Sequence, residues 1–410
     1  MHVSTRTRLL RLILFVVATS TTLAAVAEDS PSVDYLSFAQ GAVPVTIEGA
    51  AAKLKVGMDR ALLAIDDDAR GFSLTPKPGT ADTKIVFIFQ LPAQTTFSDF
   101  AIPNVLETPS PSQTFVKTVE IAGSAHGPKG PFRVLASTSL KTHSKKNQVT
   151  AFPASVEMPV RWVRVTLGGG IDIQRDKTFF EFSEIIGHGH QEPVPLLNSF
   201  TGKWKGRGVL LELQQDGVRV SGCYDRAGDL IGTVDGNLLR ATGKTRTGDI
   251  PSTFVLTVSG DGEIIGVRST NGAPFRLYTG AAAARIVTKC SKRAVPPLGC
   301  GSIVHGIHFD FDSATIQPAS YELIDVLFKG LKAATTSGIT VIGHTSSEGS
   351  DAYNAQLSQR RADAVVAALV ARGIAAARIS GQGRGEKQPI ANNATGAGRS
   401  LNRRVEIACR

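Results

Sequence analysis

Between residues 352 and 371 apolar side chains return every four positions at Leu357, Val365 and Leu369, with Val366 and Val370 beside them, and Arg361 falls on the same stripe. That spacing gathers them on one face and predicts a helix over 352–371. A second helix is expected over Tyr321 to Ala334, and apolar runs at Val304 to Phe309, Ile339 to Ile342, Arg378 to Gly381 and Arg404 to Ala408 read as strands. Alternation of this kind implies an α/β sandwich over 302–410.

Upstream the pattern shortens to strand-sized runs. Over 28–190 these are Lys84 to Gln90, Val116 to Ile121, Phe132 to Ala136 and Val160 to Val165, separated by Gly, Pro and polar turns, which predicts a jelly-roll β-sandwich. Over 198–290 the runs are Val209 to Leu213, Val218 to Tyr224, Leu230 to Val234, Phe254 to Val258 and Ile264 to Val267, with Asp216-Gly217, Asp235-Gly236 and Asp261-Gly262 as turns. A small antiparallel barrel follows from that meander, either enclosing a ligand or packed shut. The Pro-rich stretch within 291–301, Ala294 to Gly299, is expected to be a hinge. The chain is therefore expected to be multidomain, with two all-β domains followed by the α/β sandwich.

The N-terminus changes the setting. Arg6, Arg8 and Arg11, the apolar run Leu12 to Val17 and the small-residue site Ala25-Val26-Ala27 have the order of a secretory signal peptide over 1–27. Removing three Arg and no acid takes the net charge from +10 to +7. That excess is dispersed, so nucleic acid is not an expected partner of an exported chain, and no later run reaches the roughly 18 apolar residues of a membrane-spanning helix. Four cysteines in an exported chain suggest pairing. Cys223 with Cys290 and Cys300 with Cys409 is the preferred connectivity, and Cys290 with Cys300 across the hinge is its main competitor.

Candidate chemistry gathers near Arg361. A guanidinium on an apolar stripe calls for an anion nearby, from within the chain or from a ligand. The polar loop Gly343 to Ser350 follows a strand and ends at Ser350 or Asp351, either of which can cap the helix, so free N–H donors and a positive dipole end meet at one place. Such a corner suits a carboxylate ligand.

The order Ile307-His308-Phe309-Asp310-Phe311-Asp312-Ser313-Ala314, then Gly343-His344-Thr345-Ser346-Ser347-Glu348-Gly349-Ser350-Asp351-Ala352-Tyr353-Asn354, then Leu357-Ser358-Gln359-Arg360-Arg361-Ala362, then Asn402-Arg403-Arg404-Val405-Glu406-Ile407 resembles the OmpA-like (OmpA/MotB/Pal-type) peptidoglycan-binding domain. The resemblance implies an OmpA-like fold and a grip on the wall peptide stem, with Thr345, Asn354, Leu357, Ser358, Arg361 and Arg404 at matching positions. It also implies that the helix Arg holds the carboxylate of diaminopimelate and that an Asp after the Thr holds its amino group. Position 346 is Ser instead, and Glu348 is the candidate for the missing charge.

Residues 119–124, 130–135, 160–165 and 180–187 resemble a discoidin or galactose-binding-like jelly roll, and Phe200 to Gly206 resembles the opening of a lipocalin-like barrel. The jelly-roll resemblance implies loops that meet glycans or other surfaces and, in some members, calcium. Asp66, Asp67 and Asp68 would sit on a suitable loop, but a solvated turn is the expected reading, as it is for His188 and His190 on a Gly-rich linker. No metal and no cofactor is therefore expected. The functional expectation is a non-catalytic protein of the periplasm, tied to the cell wall or outer membrane of a Gram-negative bacterium. It would bind peptidoglycan and use its β domains for glycan or envelope-protein contacts. An outer-membrane barrel formed by 28–190 and a wall-modifying enzyme are the alternatives.

Overall fold

Two stacked layers each bury their inner face, and strand Ile85–Ile102 is covered along most of its length. In the computed structural model, which describes residues 33–49, 57–74, 84–103, 105–106, 116–145, 148–169, 171–172, 177–178, 180–290 and 294–410, strand Ile85–Ile102 runs through both layers. Its first half pairs with Val43–Gly49 and Val160–Gly168, and its second half with Ile186–Gln191 and Thr150–Pro153. Thr118–Ser124 and Arg133–Ser139 extend the sheet beyond Val160–Gly168. Phe87, Phe89, Phe97, Phe100 and Phe182 fill the core between the layers.

Several expectations shift here. The strand foreseen to stop at Gln90 continues across Pro92, because the ladder breaks register between Gln90 and Thr95, where a missing N–H costs no ladder bond. His188 lies on strand Ile186–Gln191 rather than on a linker, and its Nδ1 sits 2.7 Å from Asp99. Among the described residues the strands Val43–Gly49 and Arg133–Ser139, at the two ends of the sheet order, do not pair with each other.

The second sheet is an antiparallel meander from Gly202–Gly206 to Ile264–Thr270. One short return segment closes it. Arg276 and Leu277 pair with Arg268 and Val267, Gly280 bridges to Ile264, and Ala281 and Ala282 pair with Lys205 and Trp204. Trp204, Leu211, Tyr224, Phe254 and Leu256 occupy the interior, so the barrel is packed with its own side chains. Leu238–Thr245, not foreseen as a strand, belongs to the meander: Leu239 and Ala241 face the barrel core, while Leu238 and Arg240 are buried against neighbouring elements.

The C-terminal sheet has the order Ile303–Val304, Val405–Cys409, Ile339–Gly343, Ile379–Gly383, with the last two parallel. With α1 at Met58–Leu63 in the first region, the helices here are α2 at Tyr321–Ala333, α3 at Asp351–Ala371 and α4 at Gly396–Asn402. Leu323, Ile324, Leu327 and Leu331 of α2 meet Ala362, Val365 and Leu369 of α3 over Val341, Ile379 and Ile407. The expected strand over 304–309 is confined to Ile303–Val304, because Phe309 turns off to bridge Ile316.

Disulfides join Cys223 to Cys290 and Cys300 to Cys409. Ala294 to Gly299, expected as a hinge, is seated on α2: Leu298 is buried, and a Cβ on Gly330 would fall 1.7 Å from its carbonyl. The leader and Ser291 to Arg293 lie outside the described residues. From Val33 to Arg410 the chain is one compact unit. Arg240 shows how the parts lock, reaching the Ala39 carbonyl at 3.0 Å, Ser400 at 3.2 Å and Asp235 at 3.3 Å.

Candidate functional site

Strand Ile339–Gly343 delivers the loop 344–349 to the start of α3. Gly343 is required by close approach, since a Cβ there would lie 2.5 Å from the Ser358 carbonyl of α3. Ser350 caps α3 by accepting the Tyr353 N–H at 3.3 Å. Thr345 is buried; its N–H goes to the Gly385 carbonyl at 3.0 Å, and its hydroxyl has no partner among the described residues.

The other matching residues divide into braces and one free group. Asn354 is buried and donates to the Glu386 carboxylate, Ser358 accepts the Gly385 N–H at 2.8 Å, and Leu357 packs inward. Arg404 is consumed internally, bonding Glu406 at 2.7 Å and the Gln388 carbonyl at 2.9 Å. It braces the sheet end and also lines the cavity beside Arg361. Glu348 is drawn aside from the role foreseen for it: it accepts the Ser346 hydroxyl at 2.9 Å, and Arg403 and Arg399 hold it at 3.1 and 3.5 Å.

Arg361 differs from all of these. Its Nε donates to the Ser313 carbonyl at 3.1 Å and its guanidinium lies 4.9 Å from the Phe309 ring centre, yet it forms no ion pair among the described residues. Burial lowers its pKa from the usual arginine value. A desolvated guanidinium with open N–H groups favours a carboxylate, which it can grip in a bidentate fork. A cavity of about 460 Å³ opens beside it, walled by Phe309, His344 and Arg403 from this region and by Val194 and Asp235 from upstream.

That corner coincides with a known family. Residues 308–403 match the OmpA family. Outer membrane porin F of Pseudomonas fluorescens is 48% identical over 102 residues, 25% of this chain and 31% of that protein. Peptidoglycan-binding protein ArfA of Mycobacterium bovis is 45% identical over 101 residues, again 25% and 31%. The chain spans about a third to a half of the length of the curated relatives it matches. Among solved structures, CBM32-3 from a family 31 glycoside hydrolase of Clostridium perfringens aligns with 39% of this chain and 95% of its own, at 11% identity and a TM-score of 0.27.

A second constellation lies in the jelly roll. One carboxylate oxygen from each of Asp34, Asp67 and Glu184 falls within 4.8 Å of the others. Asp34 Oδ1 accepts the Leu36 and Gly187 N–H groups, while its Oδ2 is buried without a partner among the described residues. Burial, helped by the neighbouring Asp67, pushes Asp34 up to about 8, and burial with the nearby acids raises Glu184 as well. Of the acidic run only Asp67 joins this cluster, since Asp68 pairs with Arg70. A hard divalent cation such as calcium fits three oxygens held this way. Asp34 and Glu184 were not legible as partners of Asp67 because they are remote in sequence, although an acid inside the apolar run 182–186 was a signal.

Proposed function

We propose that this chain is a non-catalytic envelope protein that docks peptidoglycan through the segment 302–410. Arg361 takes the carboxylate of the stem peptide, the loop after Thr345 supplies further hydrogen bonds, and Asn354, Ser358 and Arg404 hold loop, helix and sheet in register. The observation that carries this reading is Arg361 itself, desolvated over Phe309 at the edge of a cavity and forming no ion pair among the described residues, with Asp312 acting on it only at longer range. The OmpA-family match and the similarity to the peptidoglycan-binding protein ArfA support the same ligand class. Exported, periplasmic placement follows from that ligand and from the leader-like N-terminus. The β regions then serve as the surface turned to other envelope components.

Titration of the full-length protein with a soluble diaminopimelate stem peptide tests the assignment. Arg361→Ala should weaken binding by about tenfold to a hundredfold, the value of a charge-assisted fork, while Arg361→Lys should recover only part of it. Equal affinity in wild type and Arg361→Ala would remove Arg361 from the site.

A further inference from the structure

The outer face of the barrel is not uniformly polar. Leu230, Ala241 and Phe254 belong to the barrel core, so strand alternation turns their neighbours Ile231, Thr242 and Thr253 outward. These three stand in one row, Ile231 opposite Thr242 and Thr242 opposite Thr253. Between this row and the turn 389–392 of the C-terminal region opens a cavity of about 910 Å³, lined also by Gly301 and Ile303. The turn is firmly held: Asn402 Oδ1 accepts the Ile390 and Ala391 N–H groups at 2.8 and 3.1 Å, and Nδ2 donates to the Ala391 carbonyl at 2.8 Å. No residue lines both this cavity and the one beside Arg361.

A preformed cavity of this volume is ligand-sized, and its walls set the chemistry. Ile231 stays 43% exposed, and Ile303, Pro389 and Ile390 add apolar surface that favours an apolar body over water. Charge enters at one end. Lys244 lies two residues beyond Thr242 on the same outward face, about 7 Å along the strand. Its cross-strand neighbour is Asp229, but Arg246 grips that carboxylate through two nitrogens at 2.5 and 3.1 Å. Lys244 forms no ion pair among the described residues, so these three groups sum to one positive charge.

We propose that this cavity is a second binding site, which takes a monomeric anionic amphiphile of fatty-acid type, its tail between Ile231 and Ile390 and its carboxylate at Lys244. A neutral apolar molecule would leave the ammonium unused, and a cationic one would be repelled by it. Lys244 is itself exposed, so the paired head groups keep part of their hydration.

Calorimetric titration of the full-length protein with decanoate and with decylammonium, each below its micelle-forming concentration, tests the assignment. Wild type should bind one decanoate per chain and prefer it to decylammonium by about tenfold, and Lys244→Glu should reverse that order. Ile231→Asp, at an exposed position that spares the core, should weaken decanoate binding by about tenfold or more with the melting temperature unchanged. Decanoate binding should persist in Arg361→Ala; its loss there would place the carboxylate at Arg361 and overturn the proposal. Equal binding of the two amphiphiles, uptake of many molecules per chain, or unchanged binding in Ile231→Asp overturns it as well. A dimer that Ile231→Asp dissociates would assign the cavity to a second copy of the chain, with the same consequence.

Discussion

Arg361 and Arg399 were not equally legible in the sequence. Arg361 was legible because it interrupts a four-residue apolar repeat, and a charge on such a stripe needs a reason. Arg399 was not, because its partners Asp67 and Glu348 come from remote parts of the chain and no local spacing brings them together. The same holds for Glu348, whose proximity to Ser346 suggested a substitute acid. Its two arginines could only be seen in the fold. Buried histidines give this scale its own test. Burial, reinforced by Arg240 and Arg404, lowers His305 to about 3, and burial with Arg404 lowers His344 to about 4. Both are neutral in the folded chain, whereas the unfolded chain takes up these protons below about pH 6.5. Their contribution to stability is therefore complete above that pH and declines as pH falls toward the folded values. Thermal melts of wild type and His305→Gln from pH about 8 down to about 4, which spans the ordinary histidine range, should show the smaller acid-induced loss in the variant. Parallel curves would contradict the burial of a neutral His305.

At the scale of elements, helices α2 and α3 appeared within one residue of where periodicity placed them, since each buries a single apolar face. Strands were harder to read where tertiary cover replaced alternation. Leu238–Thr245 was missed because Arg240 and Leu238 are buried on the side that would ordinarily face water, and the strand through Pro92 was cut short because its register break is invisible in sequence. The acidic corner is also a product of elements meeting, with the 66–68 loop delivered to Asp34 and Glu184 by separate parts of the jelly roll. In the absence of a cation, Asp34 and Glu184 with raised pKa values favour their protonated forms, so this corner loses stability as pH rises from the ordinary carboxylate range through about 8. Millimolar calcium at pH near 8 should raise the melting temperature of wild type and leave Glu184→Gln unmoved, as linkage to a site in the folded state requires. An equal response in both proteins would exclude a cation from these three carboxylates.

For the whole molecule, the three large sheets are locked together more closely than a string of domains on a Pro-rich hinge would suggest. Arg240 spans the barrel strand, the jelly-roll carbonyl of Ala39 and Ser400 of α4, and Asp67 and Gly396 touch across another seam. The fold class and the residues of the proposed wall-binding corner were present in the sequence pattern, and the observed disulfides are the preferred one of the connectivities it left open. The contribution of the jelly roll to that corner was not, because it is made by backbone carbonyls and long-range ion pairs that leave no local signature. The most direct measurement of the account is co-sedimentation of the mature full-length protein with purified diaminopimelate-type sacculi, beside Arg361→Ala of matched melting temperature. Wild type should pellet with the sacculi and be released by soluble stem peptide, while Arg361→Ala stays in the supernatant; wild type that remains in the supernatant, or Arg361→Ala that pellets equally, would contradict it.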